Sequence, residues 1–160
     1  MKILVFSDSH GALDPMRHVT AQERPNRILH LGDMVRDAIE LADAYPNIPV
    51  EYVRGNCDYY DAAAPLQTIL MAGGKRLLMT HGHAYHVKLG MSAAVAAARE
   101  AQVDAFLFGH THEGLCQHDN GLWVMNPGSI RGLFCPSYGL ITIEDNVLTC
   151  QLREYKESEE

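Results

Sequence analysis

The sequence of 160 residues lacks three features, each of which would assign it to a particular class of protein. Its longest basic tract is Lys75-Arg76 and its formal net charge is −7, so we do not expect it to bind long nucleic acids by neutralising their phosphates. It contains no apolar run near the roughly 18–20 residues that a transmembrane helix needs. Its N-terminus, MKILVFSDSH, lacks the charged, apolar and small-residue segments of a secretory signal. We therefore expect a cytoplasmic protein without a membrane partner.

The cysteines do not form the patterns that stabilise small secreted proteins through disulfides or that bind structural zinc. The four cysteines are Cys57, Cys116, Cys135 and Cys150, and no two of them form a CxxC pair. We expect free thiols in a reducing compartment rather than a disulfide framework. Histidine, by contrast, occurs nine times, and most of the histidines lie in short clusters beside glycine or aspartate.

Length and composition indicate one ordinary globular domain. Hydrophobic residues make up 47% of the chain and charged residues 21%, which is typical of folded proteins. We expect a single domain over residues 1–153. An acidic C-terminal tail over residues 154–160 is expected to follow it and to fray.

The first third of the sequence predicts a parallel sheet flanked by helices. Short apolar runs typical of buried strands alternate there with segments of helical periodicity. In order, these are a strand over 3–6, a helix over 15–24, a strand over 28–31, a helix over 33–45 and a strand over 50–53. A β-α-β-α-β order places helices against a largely parallel sheet.

The remainder of the chain predicts a second region with more antiparallel strands. The alanine-rich segment over residues 88–102 predicts a helix. Three pairs of strand-like runs flank turn residues and predict hairpins, at 73–74, 119–121 and 144–146. Together the two regions predict an α/β fold of four layers, an α/β/β/α sandwich. Its two mixed β-sheets pack face to face, with the helices outside.

Polar side chains directly follow five of the strand-like runs. The five segments are Ser7-Asp8-Ser9-His10, Gly32-Asp33, Gly55-Asn56-Cys57-Asp58, His81-Gly82-His83 and Gly109-His110-Thr111-His112. In open α/β sheets, ligands bind beyond the carboxyl ends of the strands. If the strands lie side by side, all five segments meet at one rim.

The side chains in these segments form a set of metal donors. Mixed carboxylate, amide and imidazole ligands suit borderline divalent ions. Mn²⁺ is our first choice, with Ni²⁺, Fe²⁺, Co²⁺ and Zn²⁺ as alternatives. The donors outnumber the needs of one ion, so we expect two ions that share a carboxylate. Two such ions about 3.5–4 Å apart are a recurrent device for phosphate ester hydrolysis.

Taken in order, the five segments resemble the motifs of the calcineurin-like metallophosphoesterase superfamily. The short chain, the cysteine in Gly55-Asn56-Cys57-Asp58 and the segment Asn126-Pro127-Gly128-Ser129 resemble its small prokaryotic phosphodiesterase branch. That branch is related to the retromer subunit known as vacuolar sorting protein 29. The resemblance spans nearly the whole chain, from Asp8 to Ser129.

The resemblance implies a dinuclear metal centre. One ion would be held by Asp8, His10, Asp33 and His112. The other would be held by Asp33, Asn56, His81 and His110, so that Asp33 bridges the two ions. It further implies that a hydroxide bridging the ions attacks the phosphorus of a phosphodiester.

The sequence departs from the wider superfamily at Cys57, where many relatives place a histidine that is thought to protonate the leaving oxygen. A thiol with a pKa of about 8.5 is a poor general acid. We therefore expect His83 or a metal-bound water in this role, or a leaving group that needs little protonation. Asp58 is expected to orient a ligand or to cap a helix. Arg54 and Arg131 are candidates for binding the substrate phosphate, with a structural salt bridge as the alternative for each.

Three functions remain open at this point. They are a phosphodiesterase acting on a small phosphodiester, a phosphomonoesterase, and a non-catalytic protein-binding scaffold like the retromer relative. Every expected ligand position carries a competent donor, which favours catalysis. Tyr59 and Tyr60 are expected to pack locally, with stacking on a nucleobase as the alternative. The sequence does not specify the substrate, and it leaves a homo-oligomer open.

Overall fold

The computed structural model describes residues 1–157 and contains two five-stranded sheets. In spatial order, the strands of the first sheet are β10 (Val147–Glu154), β9 (Ser137–Glu144), β1 (Lys2–Phe6), β2 (Arg27–His30) and β3 (Val50–Tyr52). Strands β1, β2 and β3 are parallel, whereas β9 is antiparallel to β1 and to β10. The first sheet is therefore mixed, and its parallel part comes from the predicted β-α-β-α-β region.

The second sheet is also mixed. In spatial order, its strands are β4 (Gln67–Ala72), β5 (Lys75–Thr80), β6 (Ala105–Leu107), β8 (Leu122–Asn126) and β7 (Leu115–Asp119). Strands β5, β6 and β8 are parallel, and an antiparallel strand flanks them on each side. Each sheet thus contributes three parallel strands to the sandwich.

Three helices cover the outer faces of the sheets: α1 (Leu13–Glu23), α2 (Val35–Ala44) and α3 (Ser92–Glu100). Successive residues of a strand point to opposite faces, and the core follows this rule. Ile3 lies in the cluster between the two sheets, whereas Leu4 packs with Met16 of α1. On the far side, Phe106 of β6 packs with Ala98 of α3. The four-layer α/β/β/α sandwich is therefore confirmed.

The three predicted hairpins are confirmed, and all of them have two-residue loops. The loops are Gly73-Gly74, Asn120-Gly121 and Asp145-Asn146, between strands paired up to the flanking residues. All six loop residues have positive φ. This is the conformation of type I′ turns, whose twist matches that of the strands.

Two predicted helices begin later than the sequence periodicity indicates. Residues 87–89 form a 3₁₀ turn and Gly90 has a φ of 142°, so α3 begins only at Ser92 and the prediction of a helix from residue 88 is wrong at its start. The helix predicted from Asp33 begins at Val35, because Asp33 has a φ of 48°. A residue with positive φ does not fit a right-handed helix.

The C-terminal strand extends beyond the predicted end of the domain at residue 153. Strand β10 includes Glu154, and the N–H of Tyr155 donates to the carbonyl oxygen of Pro136 at 2.7 Å. The last predicted tail residues, 158–160, lie outside the described residues. Between residues 1 and 157, no helix has the length and hydropathy that a membrane crossing requires.

A buried carboxylate fastens α1 to the first sheet. Glu23, at the end of α1, accepts hydrogen bonds from Tyr138 Oη at 2.9 Å, Arg153 Nη1 at 2.7 Å and Lys2 Nζ at 3.2 Å. Burial raises the pKa of Glu23, but these hydrogen bonds and the two positive charges outweigh burial, so its pKa is lowered. The ionised form is therefore the form that stabilises the fold.

Replacement of Glu23 by glutamine should destabilise the protein in a pH-dependent way. At neutral pH we expect Glu23→Gln to lower the free energy of unfolding by roughly 1–3 kcal/mol, as for a lost charged hydrogen bond. The difference should shrink as the pH falls below the ordinary glutamate value of 4.5, because the wild-type carboxylate then takes up a proton. Urea unfolding of the wild type and the variant, at neutral pH and at a pH below 4.5, measures this difference in stability. Glu40→Gln, at an exposed position of α2, is the control, and equal effects of the two variants would contradict the prediction.

Candidate metal centre

Polar segments that follow β1, β2, β5 and β6 meet in space, and they contain two groups of metal donors. Within each group, the ligand atoms all lie within 4.8 Å of one another. The first group is Asp8, His10 and His112, and the second is Asp8, Asp33 and His81. Residues from positions 8 to 112 are thus brought together, and Asp8 belongs to both groups.

Asp8 is fully buried, and one of its carboxylate oxygens has no hydrogen-bond partner among residues 1–157. Its Oδ2 accepts hydrogen bonds from the Ser7 hydroxyl at 2.6 Å and from the His110 N–H at 3.1 Å. Its Oδ1 lies 3.1 Å from His112 Nε2 and 3.8 Å from His81 Nε2. A buried anionic oxygen is costly unless a donor or a cation meets it. This oxygen is therefore well suited to coordinate a cation.

The His81 ring is held in the orientation that metal coordination requires. Its Nδ1–H donates to the carbonyl oxygen of Leu31 at 2.8 Å, which leaves the lone pair on Nε2. This Nε2 lies 3.0 Å from Asn56 Oδ1 and 3.3 Å from Asp33 Oδ2. The same Asp33 oxygen lies 4.0 Å from His10 Nε2. Asp33 Oδ2 therefore lies between imidazoles of the two donor groups.

His110 and Asn56 lie beside the second donor group. The ring centroid of His110 is 5.1 Å from that of His81, and Asn56 faces His81 through its carbonyl oxygen. In the first group, the rings of His10 and His112 are 5.5 Å apart. The structure thus gathers all seven residues that the sequence suggested as metal ligands.

Five of these seven donors have left-handed backbone conformations. Their φ values are 52° for Asp8, 42° for His10, 48° for Asp33, 71° for His110 and 61° for His112. Such conformations cost of order 1–3 kcal/mol for residues with a side chain, and they cluster at functional sites. The sharp turns after the strands direct these side chains toward the donor groups, and their left-handed conformations lower the stability of the fold.

Asp58 positions two ligand segments without reaching the donor groups itself. Its buried carboxylate accepts hydrogen bonds from the N–H groups of Asp33 at 2.9 Å, Gly55 at 2.7 Å and Val35 at 2.9 Å. It therefore supports the Asp33 turn and the first turn of α2 together. A Cβ atom on Gly55 would overlap the Asp33 carboxylate, so only glycine fits this close approach.

A second buried network supports the Asp8 segment, and nothing in the sequence connects its members Ser9, His30 and Asp37. The Ser9 hydroxyl donates to Asp37 Oδ2 at 2.7 Å and lies 2.9 Å from His30 Nε2. The Gly11 N–H donates to the same Asp37 oxygen at 2.8 Å, and the Gly32 N–H donates to His30 Nδ1 at 3.2 Å. Because of burial, the pKa of His30 is lowered to about 4, so the ring is neutral. The network connects the turns that carry Asp8 and Asp33.

Loss of Asp37 should weaken metal binding without touching a donor. Asp37→Ala leaves the Ser9 hydroxyl and the Gly11 N–H without their acceptor, so the Asp8 turn loses its support. Because residues that orient ligands commonly contribute this much, we expect the affinity for Mn²⁺ to fall about 10–100-fold. Calorimetric titration with Mn²⁺ measures the change. Asp43→Ala, at an exposed position of the same helix, is the matched control. Equal affinities of the two variants would exclude this role.

The charges of the site favour an anionic Asp33. Burial raises the pKa of Asp33, but its contacts with His81 and with the Cys57 N–H outweigh burial, so its pKa lies well below the usual value. Burial lowers the pKa of His81, but the nearby carboxylates raise it by more. The pKa values of His83 and His110 are lowered, mainly by burial. Asp33 is therefore ionised at neutral pH and available as an anionic ligand.

The other expected site residues lie around the donor groups. Cys57 is exposed, and its Sγ accepts a hydrogen bond from Asn56 Nδ2 at 3.6 Å. Burial of the thiol and the Asp33 carboxylate raise the pKa of Cys57. The ring centroids of His83 and His81 lie 5.5 Å apart, and within the described part of the chain His83 Nδ1 has no hydrogen-bond partner.

The two arginines lie at the edges of the site. Arg131 Nη1 donates to the carbonyl oxygen of His10, and Arg54 Nη1 donates to that of Ala62, both at 3.2 Å. Neither guanidinium forms an ion pair within residues 1–157. The alternative of a structural salt bridge is therefore wrong for both, and their remaining donors face no competing carboxylate.

The fold and the site together define a class of protein. The family model of the calcineurin-like phosphoesterase superfamily domain matches residues 1–146. The chain belongs to this superfamily, whose members hydrolyse phosphoric esters with divalent metal ions. The unpartnered Asp8 oxygen and the mixed carboxylate and imidazole donors fit such ions.

Individual relatives agree with this assignment. The chain is 30% identical over 155 residues to the probable metallophosphoesterase YsnB of Bacillus subtilis, covering 93% of this chain and 88% of that protein. It is 29% identical to the phosphodiesterase YfcE of Escherichia coli K12, covering 88% and 87%. A crystal structure of a predicted phosphoesterase from Streptococcus pneumoniae superposes with a TM-score of 0.80 at 25% identity, covering 96% and 89%.

The fold is also shared with a protein that is not described as a phosphoesterase. Vps29 of Entamoeba histolytica, solved in complex with zinc, superposes with a TM-score of 0.74 at 22% identity and covers 98% of this chain and 100% of its own. At this identity the likeness concerns the fold alone. It agrees with the expected relation to the retromer subunit.

Proposed function

We propose that this chain is a dinuclear metal-dependent phosphodiesterase. The observation that carries the proposal is the pair of donor groups sharing Asp8, with an unpartnered carboxylate oxygen where they meet. When bound, two divalent ions, with Mn²⁺ as our first choice, would lower the pKa of a water molecule towards neutrality and offset the charge of a phosphate. The donor set supports this chemistry because it combines carboxylate oxygens with imidazole nitrogens, ligands that suit borderline divalent ions.

The seven donors divide between two ions. We assign Asp8, His10, Asp33 and His112 to one ion and Asp33, Asn56, His81 and His110 to the other. The bridging role of Asp33 is supported by its Oδ2, which lies 3.3 Å from His81 Nε2 and 4.0 Å from His10 Nε2. Asp58, Asp37 and His30 would hold the ligand segments in place through hydrogen bonds.

We assign protonation of the leaving oxygen to His83 rather than to Cys57. His83 lines a cavity with Asn56, and its Nδ1 has no hydrogen-bond partner among residues 1–157. Burial and the Asp33 carboxylate raise the pKa of the Cys57 thiol, which makes it a weaker acid. His83→Ala should therefore reduce kcat by about 10²-fold or more on a diester with a poor leaving group. Cys57→Ala should retain most of the activity. Collapse in Cys57→Ala with full activity in His83→Ala would reverse the assignment.

Preference for diesters distinguishes this function from that of a phosphomonoesterase. The Mn²⁺-loaded protein should hydrolyse bis-p-nitrophenyl phosphate with a higher kcat/KM than p-nitrophenyl phosphate, because the site has open space on both sides of the donors. A higher kcat/KM for the monoester would favour the phosphomonoesterase. A folded, metal-loaded protein with no hydrolysis of either ester, but with a stoichiometric protein partner, would favour the binding scaffold.

A further inference from the structure

Two separate cavities open beside the donor groups. The first, of about 370 Å³, is lined by Arg54, Asn56, Asp58, Tyr59, Leu66 and His83, and we call it the Arg54 cavity. The second, of about 320 Å³, is lined by His10, His112, Ser129, Arg131, Gly132 and Leu133, and we call it the Arg131 cavity. They share no lining residue. Each includes ligands that we assign to a different ion, so a phosphate held between the ions has one cavity on each side.

The two cavities have similar chemistry. Each contains one arginine and one large side chain that is mostly exposed, Tyr59 at 79% and Leu133 at 87%. The expectation that Tyr59 and Tyr60 pack locally is therefore wrong, since Tyr60 is 99% exposed as well. Ligand pockets are lined mainly by apolar and aromatic side chains together with a few polar or charged groups, and an arginine stacks on planar rings. Both arginines keep donors that no carboxylate occupies, in a chain whose formal net charge is −7.

We propose that the substrate is a linear phosphodiester of the dinucleotide class, with a ring-bearing group on each ester oxygen. This inference rests on the proposed function and specifies its substrate class. The group on the leaving oxygen would lie in the Arg54 cavity, because His83 is there, and would stack on Tyr59. The group that stays on the phosphate would lie in the Arg131 cavity against Leu133. A water oxygen bonds to phosphorus and releases one proton to the solvent. The phosphorus–oxygen bond to the leaving group breaks with its electron pair on the leaving oxygen, and His83 gives that oxygen a proton.

The arrangement disfavours two other kinds of diester. A cyclic mononucleotide carries both ester oxygens on one sugar, so it fills one cavity and leaves the other empty. A diester of two small alcohols leaves both Tyr59 and Leu133 without a contact. Stacking of a base on an aromatic ring changes affinity by about 5- to 150-fold. We expect a linear dinucleotide to exceed a 3′,5′-cyclic mononucleotide in kcat/KM by about tenfold or more.

Two aryl diesters and two variants test each cavity separately. Methyl p-nitrophenyl phosphate has a ring only on its leaving oxygen, whereas bis-p-nitrophenyl phosphate has a ring on each oxygen. Tyr59→Ala should raise KM for both substrates by about tenfold. Leu133→Ala should raise KM for the bis-aryl diester several-fold and leave the methyl diester unchanged.

Matched controls are available in the same chain. Tyr60 is 99% exposed and lines a different cavity, with Val35 and Leu70, so Tyr60→Ala should change neither KM. Leu89 is 88% exposed and lines neither cavity, so Leu89→Ala controls for Leu133→Ala. Circular dichroism and size-exclusion chromatography should show the same fold and size for all four variants.

Failure of the inference and failure of the proposed function give different results. An active wild type whose KM values are unaffected by Tyr59→Ala and Leu133→Ala would overturn the two-cavity inference and leave the phosphodiesterase intact. So would a Leu133→Ala variant that changes oligomeric size without changing KM, because Leu133 would then contact a second copy. A metal-loaded wild type inactive on every diester would refute the phosphodiesterase itself.

Discussion

Removal of divalent ions should abolish hydrolysis of bis-p-nitrophenyl phosphate, and Mn²⁺ or Ni²⁺ should restore it. A phosphodiester anion repels an attacking oxygen, and the ions would contribute several kcal/mol towards overcoming this barrier. At 1.36 kcal/mol for each tenfold change, the rate should fall by about 10³-fold or more. Activity is measured after chelation, after dialysis and after stepwise addition of each ion, together with the metal content.

The fold should survive chelation, because apolar packing between the layers does not depend on the donors. Three hydrophobic clusters hold the layers together, and none of them contains a donor residue. The far-ultraviolet circular dichroism spectrum should therefore change little, although the unfolding temperature should rise when Mn²⁺ is added. Full hydrolysis by protein shown to be free of metal would contradict the mechanism.

The Asp33→Asn variant should lose most activity and the capacity to hold two ions. Asparagine preserves the size of the side chain and the acceptor for the Cys57 N–H, which donates to Asp33 Oδ1 at 2.9 Å. It removes the negative charge from the atom that lies between His10 and His81. Because an uncharged amide bridges two cations poorly, kcat/KM should fall about 10³-fold. Bound Mn²⁺ should decrease from two ions per chain to one or none.

Two measurements separate this effect from misfolding. Thermal unfolding in chelator should show that Asp33→Asn is folded, and Asp14→Asn, at an exposed position of α1, should retain both ions and full activity. The electron paramagnetic resonance spectrum of the Mn²⁺-loaded wild type should show two magnetically coupled ions. The spectrum of Asp33→Asn should not show this coupling. Wild-type activity with two bound ions in Asp33→Asn would exclude the bridging role.

The fold could be predicted to a large extent because its signals are local. Buried strands such as residues 3–6 are short apolar runs, and each hairpin carries its turn residues. Where a helix begins later than predicted, a single backbone angle is responsible, at Gly90 before α3 and at Asp33 before α2. Periodicity does not report such angles, since it registers only which side chains are apolar.

The donors could be predicted because their chemistry is visible at the ends of the strands. Asp37 could not, because it lies on α2 among other acidic residues, and only the folded chain brings its carboxylate to Ser9 and Gly11. The exposure of Tyr59 and Leu133 was equally hidden. An aromatic or aliphatic residue in a loop packs or projects according to neighbours that are distant in sequence.

The left-handed turns that carry five of the donors also bear on how such a chain would evolve if selection for chemistry were relaxed. Glycine at those positions would remove the backbone strain. Mutations that accumulate without selection would therefore tend to replace aspartate and histidine, and the free energy of unfolding of the sandwich would rise. A lineage that uses this architecture only as a docking platform would therefore be expected to erode its cation ligands early and to gain heat resistance as it does so.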